Sequence, residues 1–323
     1  MKVHNYIKKG LKWLLILVSI ITVLFYLNNR AIPLEKPDPL HADLPEASPP
    51  KTMQIFQIPT GVNHRSAAFA YRGGSFFDKR EFSMSVVLVR HPKGDLLIDA
   101  GFGKDVKKHF SSMPFYFKMI TDFDPGISAA EQLDKLGYNK DSLKAILLTH
   151  AHWDHVSGIP DFKNTPILVS ENELKFINGL DKFSALARSF TNAKYISYSF
   201  QQKAYLGFPL SYDFYGDGSI VIVPAPGHTP GSVIIFITLP TGKRYAVIGD
   251  LAWQVEGVNE LEERPFLQSE LGDDDRALVR ENLQKMYAIH EKFPAITIMP
   301  AHDERAFISI PTLELMNTSD TSK

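Results

Sequence analysis

Short apolar runs, period-two alternation and two capping signatures divide the chain into strands and helices from residue 53 onward. Met53-Gln54-Ile55-Phe56-Gln57-Ile58 alternates as a strand and is stopped by Pro59 and Gly61. Residues 82–89 and 95–98 predict a hairpin across His91-Pro92-Lys93-Gly94, and its second strand delivers Asp99-Ala100-Gly101. Gly101 permits close backbone approach there. Ser128 with Glu131 predicts a capped helix through Leu136, closed by Gly137; Ser170 with Glu173 predicts another after a strand at 166–169. Residues 145–149 read as a buried strand. Strands are also predicted at 220–223, 233–237, 245–248 and 296–299, and a helix at 273–292 from Leu278, Leu283, Met286, Tyr287 and Ile289. Residues 181–217 are aromatic-rich and less regular. Two runs of strands, each followed by helical segments, predict two sheets packed face to face with helices outside.

Two stretches fall outside this scheme. Residues 104–126 crowd Phe110, Met113, Phe115, Tyr116, Phe117, Met119, Ile120 and Phe123 into a segment without sheet alternation. They predict either a helix covering the core or an apolar lid that lines a greasy pocket or touches a membrane. Near the amino terminus, Lys2, Lys8, Lys9 and Lys12 precede an uncharged apolar run from Trp13 to Leu27. Counted from Leu11, this run reaches the low end of the ~17 to 25 residues that cross a bilayer. Trp13 and Tyr26 mark its interfaces, and the leading lysines place the amino terminus in the cytoplasm with the remainder across the membrane. A cleaved signal peptide needs small residues before the cut, whereas Asn28-Asn29-Arg30 follows here. The expected organisation is therefore a tip and uncleaved transmembrane anchor at 1–30, a Pro-rich stalk at 31–51, and one catalytic domain at 52–323, periplasmic or extracellular.

Composition narrows the chemistry. The chain has 323 residues and a formal net charge of -1, without a basic block that would suit nucleic acid. It has no cysteine, so thiolate ligands and cysteine nucleophiles are excluded and any metal must take nitrogen or oxygen donors.

Such donors are concentrated in His150-Ala151-His152-Trp153-Asp154-His155, directly after the apolar strand. Mixed imidazole and carboxylate suits zinc or similar divalent ions. If the strand closes at Thr149, His150 and His152 point the same way and reach one ion; Asp154 and His155 face a second before a helix starting near Val156. Three more candidates each stand just past an apolar run: His228 in Pro224-Ala225-Pro226-Gly227-His228-Thr229-Pro230-Gly231-Ser232, Asp250 after residues 245–249, and His302 after 296–300. Ligand types at successive strand ends predict a site assembled on a shared rim.

In order, spacing and strand context, these motifs resemble those of the metallo-β-lactamase superfamily, from Asp99 in Leu96-Leu97-Ile98-Asp99-Ala100-Gly101 through to His302. The resemblance covers residues 53–302 and implies a four-layer αββα sandwich with a metal site on one edge. It also implies that His150, His152 and His228 hold one ion, that Asp154, His155 and His302 hold a second, that Asp250 bridges them, and that Asp99 orients the ligands from behind.

Two divalent ions, probed as zinc, would supply an activated water for hydrolysis, with Asp154 and Asp250 orienting it. The complete ligand set is similar to those of acyl-homoserine lactonases and glyoxalase II thioesterases, and the expected substrate is a small molecule with an ester, lactone or related acyl bond. Among such lactonases a tyrosine usually follows the bridging aspartate by three residues; Trp253 stands there in this chain and donates one hydrogen bond where a phenol does more. Trp253, Phe115 and Phe117 are expected to line the substrate pocket. Thioesterase and phosphodiesterase activities are the alternatives within hydrolysis. Outside it stand a mononuclear iron dioxygenase of the same fold and a tethered binding protein with a degenerate site.

Overall fold

The computed structural model describes residues 2–313. Strands β1 (Gln54–Ser66), β2 (Lys79–Arg90), β3 (Asp95–Ile98), β4 (Phe123–Pro125), β5 (Leu143–Leu147), β6 (Ile167–Ser170) and β7 (Tyr195–Tyr198) form a seven-stranded sheet in the order β4-β1-β2-β3-β5-β6-β7. Strands β8 (Tyr212–Asp213), β9 (Ile220–Pro224), β10 (Val233–Thr238), β11 (Arg244–Gly249) and β12 (Ile296–Pro300) form a second, in the order β12-β11-β10-β9-β8.

Alternation along the strands creates three apolar layers. Leu96 and Ile98 of β3 and Leu147 of β5 face Ile222 of β9, Ile235 of β10 and Val247 of β11 between the sheets. The intervening Leu97 and Ile146 point the other way, onto Leu133 and Ile177 of the helices Ala129–Lys135 and Glu171–Asn178. On the far side, Ile234, Phe236, Ala246 and Ile298 meet Leu283, Met286 and Ile289 of the helix Arg276–Lys292. Helix, sheet, sheet and helix therefore stack as four layers, as expected.

Local signals hold where a side chain directly satisfies backbone. The Ser128 hydroxyl accepts from Glu131 N at 3.4 Å while the Glu131 carboxylate accepts from Ser128 N at 3.3 Å. Ser170 Oγ likewise accepts from Glu173 N at 3.1 Å. Gly101 has φ 58°, and a Cβ there would lie 2.4 Å from Thr60 Oγ1, so the expected close approach is real.

Three expectations differ. The segment 104–126 is not one helix: it folds as two short helices, Val106–Ser111 and Phe115–Ile120, followed by β4, and it both packs Met113 into the core and lines the cavity with Tyr116, Phe117 and Ile120. Pro114 forces the break, because it begins the second helix with φ -52° and ψ 143°. The helix placed near Val156 instead spans Trp153–Val156, so Asp154 and His155 sit within it rather than before it. The Pro-rich segment 31–51 is free of helix and strand, as its prolines require, but runs along the domain rather than away from it. Leu34 and Leu40 pack on the outer helical layer, Leu34 N donates to Leu261 O at 2.8 Å, and Ser48 N donates to Asp217 O at 2.8 Å. Apolar residues between the prolines give it a surface to bury, which a free stalk would lack.

Candidate metal centre

Strand direction puts the donors on one rim. β3 and β5 run parallel, as do β11 and β12, and β9 and β11 each pair antiparallel with β10 and so run alike. Asp99, His150, His228, Asp250 and His302 all follow the carboxyl ends of these strands. The imidazole donors of His150, His152 and His228 lie within 4.8 Å of one another, as do donors of His150, His155 and Asp250, and of Asp154, His155 and His302. All seven residues expected from sequence are thus gathered. Asp250 lies between the groups, its carboxylate 3.2 Å from His155 Nε2, 3.1 Å from His302 Nε2 and 3.5 Å from His228 Nε2.

The rings are held from behind. His155 Nδ1 donates to Asp99 Oδ2 at 2.8 Å, His228 Nδ1 to Asp273 Oδ1 at 2.9 Å and His302 Nδ1 to Ser83 O at 3.0 Å. His150 Nδ1 lies 3.2 Å from Thr149 Oγ1. Each of these contacts turns Nε2 toward the common centre. There the Nε2 atoms of His150, His155 and His228 and Oδ1 of Asp250 are buried without a hydrogen-bond partner. Buried polar atoms rarely remain unsatisfied, so this set of nitrogen and oxygen lone pairs fits divalent cations of the zinc kind.

Asp99 takes the role of orienter, accepting from Thr149 N at 2.7 Å and Thr149 Oγ1 at 2.8 Å as well as from His155. It does so at φ 61°, a strained conformation for a residue other than glycine.

Charge is divided unevenly over the rings. Burial, reinforced by neighbouring imidazoles, holds His150 and His152 well below the usual histidine range and leaves them neutral. Burial opposes protonation of His155 and His302 too, but the carboxylates of Asp99, Asp250 and Asp154 outweigh it at His155, and those of Asp250 and Asp154 do so at His302; both are raised. Burial also opposes ionisation of Asp250, yet His302 and His155 hold it well below the usual carboxylate range. A cation taken by His155 or His302 must displace these protons. Metal affinity is therefore expected to weaken as pH falls through the raised histidine values, with protons released on loading. Calorimetric titration in two buffers of different ionisation enthalpy reads the release directly, and equal heats in both would contradict it. The metal-free fold follows the opposite sign: the two raised histidines stabilise it below their unfolded pKa, and that contribution is lost as pH rises through their folded values.

Three supporting residues carry no motif. Glu173 is fully buried and joins two ligand loops, accepting from Ala151 N at 2.6 Å, Thr229 Oγ1 at 2.7 Å and Gly231 N at 3.1 Å; burial pushes its pKa up to about 7. Sequence marks it only as the partner of a helix cap. Asp273 opens the run Asp273-Asp274-Asp275, of which only Asp275 caps the following helix, leaving Asp273 free to turn back to His228. Arg264, buried between them, donates to Asp273 Oδ1, to Asp250 O and to Leu251 O, and no local signal foretells it.

A predominantly apolar cavity opens over the centre, lined at its floor by His152, Asp154, His228, Asp250 and His302. Trp253 and Phe117 line it as expected. Phe115 does not: it is 74% exposed, because on its helix Tyr116 and Ile120 share the inward face and Phe115 falls a quarter-turn away. The indole N–H of Trp253 donates to Asp250 Oδ2 at 2.9 Å, while its ring stacks on Phe69 at 5.3 Å.

Comparison with known proteins agrees with this architecture. The chain is 27% identical over 233 residues to the N-acyl homoserine lactonase AttM of Agrobacterium fabrum (strain C58 / ATCC 33970), covering 70% of this chain and 84% of that protein. It is also 27% identical over 233 residues to a probable metallo-hydrolase, Rv2300c, of Mycobacterium tuberculosis (strain ATCC 25618 / H37Rv), covering 68% and 74%. The fold is similar to that of a solved N-acyl homoserine lactone hydrolase with N-hexanoyl-L-homoserine at its catalytic metal centre, with TM-score 0.62, 18% identity and coverage of 81% and 97%. AidC, a dizinc quorum-quenching lactonase, aligns with TM-score 0.56 at 16% identity, covering 80% and 90%. The family description "Metallo-beta-lactamase superfamily" matches residues 80–286. With that match over most of the folded domain and the strand-end donors gathered on one rim, the chain belongs to the metallo-beta-lactamase superfamily, as a metal-dependent hydrolase.

Proposed function

We propose that the chain is a membrane-anchored dinuclear hydrolase, with zinc as its metal, that opens a lactone or related ester bearing an apolar acyl chain. The observation that carries this reading is the seven-donor cluster at the floor of an apolar cavity. Lactonase names among the similar proteins support the substrate class. When bound, the ions supply Lewis acidity and acidify water. Asp250 Oδ1, buried among the imidazoles, and the half-buried Asp154 would accept hydrogen bonds from the attacking water and orient it. Trp253 steadies Asp250 and has no second N–H for the substrate. A polar contact left for a substrate carbonyl is Arg65, which also lines the cavity. Arg65 lies 4.7 Å over the Phe69 ring with Nε unpartnered, and burial pushes its pKa down only to about 10, so it stays cationic at neutral pH.

The anchor is the helix Lys2–Asn29, whose most apolar 18-residue stretch has mean hydropathy 2.2 and is unburied by the domain. Lys8, Lys9 and Lys12 on its leading side favour an amino terminus in the cytoplasm and a catalytic domain across the membrane.

The test is a panel of acyl lactones, thioesters, phosphodiesters and β-lactams given to the metal-loaded full chain. Lactones of long acyl chain are expected to be turned over best. His152→Ala is expected to reduce that turnover at least about a hundredfold, in line with loss of a metal ligand, while His41→Ala, in the exposed Pro-rich segment, leaves it within twofold. Equal loss from both, or preferred turnover of a phosphodiester, would refute the assignment. Oxygen uptake with one equivalent of iron would establish a dioxygenase instead.

A further inference from the structure

The cavity mouth and the foot of the N-terminal helix share one wall. That wall is the helix Phe266–Gly272, which contributes Leu267, Gln268 and Leu271 to the cavity. The same helix receives the last turn of the N-terminal helix: Asn28 Oδ1 accepts from Leu267 N at 2.7 Å. The joint is reinforced where Arg72 donates to Leu27 O at 3.2 Å and Arg30 O at 3.1 Å while paired with the buried Glu263 at 3.3 Å. Gly73 N donates to Asn29 O at 2.7 Å, and Phe25 stacks on Phe76 at 4.6 Å.

Large apolar side chains stand exposed around this joint and around the mouth. Phe77 is 94% exposed beside the helix end, and Phe115 and Met119 are 74% and 70% exposed on the facing helix Phe115–Ile120. Leu267 is 56% exposed. The two mouth helices contain between them only Lys118 and Glu270 as charged residues, and Lys118 turns back to Ser111 O at 2.8 Å. An apolar rim of this extent on a folded domain marks a contact surface.

We propose that this rim rests on the bilayer that the N-terminal helix enters, so that the cavity opens at the membrane interface and takes an acyl-chain amphiphile directly from the adjoining leaflet. The inference rests on the membrane-spanning reading of that helix. Its occupant follows from continuity: a chain leaving the bilayer at Tyr26–Asn28 is bonded within one residue to the cavity wall, which leaves no room to hold the mouth at a distance. Aromatic and aliphatic side chains at such a level gain by entering the headgroup boundary.

Because the chain has no cysteine, single labels report position without background. Full-length Phe77→Cys, Met119→Cys and Thr241→Cys variants, each carrying a polarity-sensitive fluorophore, are reconstituted into phosphatidylcholine vesicles containing brominated lipid. Thr241 is exposed in the β10–β11 turn, at the strand ends opposite the metal centre. Labels at 77 and 119 are expected to shift to the blue and lose at least half their emission to bromine, and the label at 241 to do neither. Alkaline carbonate extraction of the same vesicles checks the anchor separately. Retention of the chain with all three labels equally aqueous overturns the membrane-facing mouth and leaves the anchor standing; release of the chain by carbonate overturns the anchor itself. A Phe77→Ser/Met119→Ser variant is expected to raise KM at least tenfold for a long-chain lactone dissolved in vesicles and to leave kcat/KM for a water-soluble short-chain lactone within twofold. An equal effect on both substrates overturns the lateral route.

Discussion

Asp250→Asn is expected to leave the protein folded but with less than one equivalent of bound metal and with hydrolysis reduced about a thousandfold or more. The carboxylate is 6% exposed and faces three imidazole Nε2 atoms drawn from both donor groups. An amide keeps the volume and can still receive the Trp253 indole N–H. It loses the negative charge, however, and offers a single acceptor oxygen where the bridging role needs two. Residues that merely steady a ligand typically cost ten- to hundredfold in metal affinity when removed; a group lying between both halves of the site must cost more. Asp99→Asn supplies that comparison, since Asp99 touches His155 and Thr149 but no cluster centre. Elemental analysis after dialysis, alongside lactone turnover, decides the matter. Metal content and rate equal to the parent in Asp250→Asn would remove the bridging assignment and with it the dinuclear proposal.

The contrast between Asp250 and its supports shows what could be read from the chain. Each donor announces itself because a polar side chain follows an apolar strand, and strand ends of one sheet direction share a rim; His150, His228, Asp250 and His302 were legible for that reason. The layers were legible from alternation, since Leu96 and Ile98 must oppose Leu97. Side chains that act through long-range contacts left no local mark. Arg264 reaches across nine residues to Asp273 and fourteen back to Asp250, and Glu173 reaches fifty-six residues to Thr229. The direction of Phe115 was lost for a different reason: Pro114 resets the helix start, and a shift of one residue turns a side chain by about 100°. The docking of the Pro-rich segment is not legible in the chain, because composition speaks to stiffness and not to whether a neighbouring groove accepts Leu34 and Leu40.

Arg264→Leu is expected to destabilise the metal-free domain by about 3 to 5 kcal/mol, the usual cost of stranding one partner of a buried ion pair. Its side chain is 2% exposed and that of Asp273 is 1% exposed, so neither charge has water to fall back on. Burial raises the Asp273 pKa, yet Arg264 and His228 together hold it below the usual range, so the carboxylate stays ionised and depends on them. The guanidinium also closes two backbone carbonyls, at Asp250 and Leu251, and its plane lies 4.6 Å over the Trp253 ring. Leucine fills part of the space and satisfies none of these acceptors. Lysine restores the charge but, as a single flexible ammonium, cannot serve Asp273 and both carbonyls together, so Arg264→Lys should recover only part of the loss. The double variant Arg264→Leu/Asp273→Asn separates the causes. If the stranded carboxylate dominates, the double variant is more stable than Arg264→Leu alone, while metal affinity falls further in the double variant, where His228 has also lost the carboxylate that orients its ring. Urea unfolding and metal titration of the four proteins measure both quantities. A single substitution costing less than about 1 kcal/mol, the scale of an exposed ion pair, would mean that Arg264 is a bystander and that His228 is placed by its own loop.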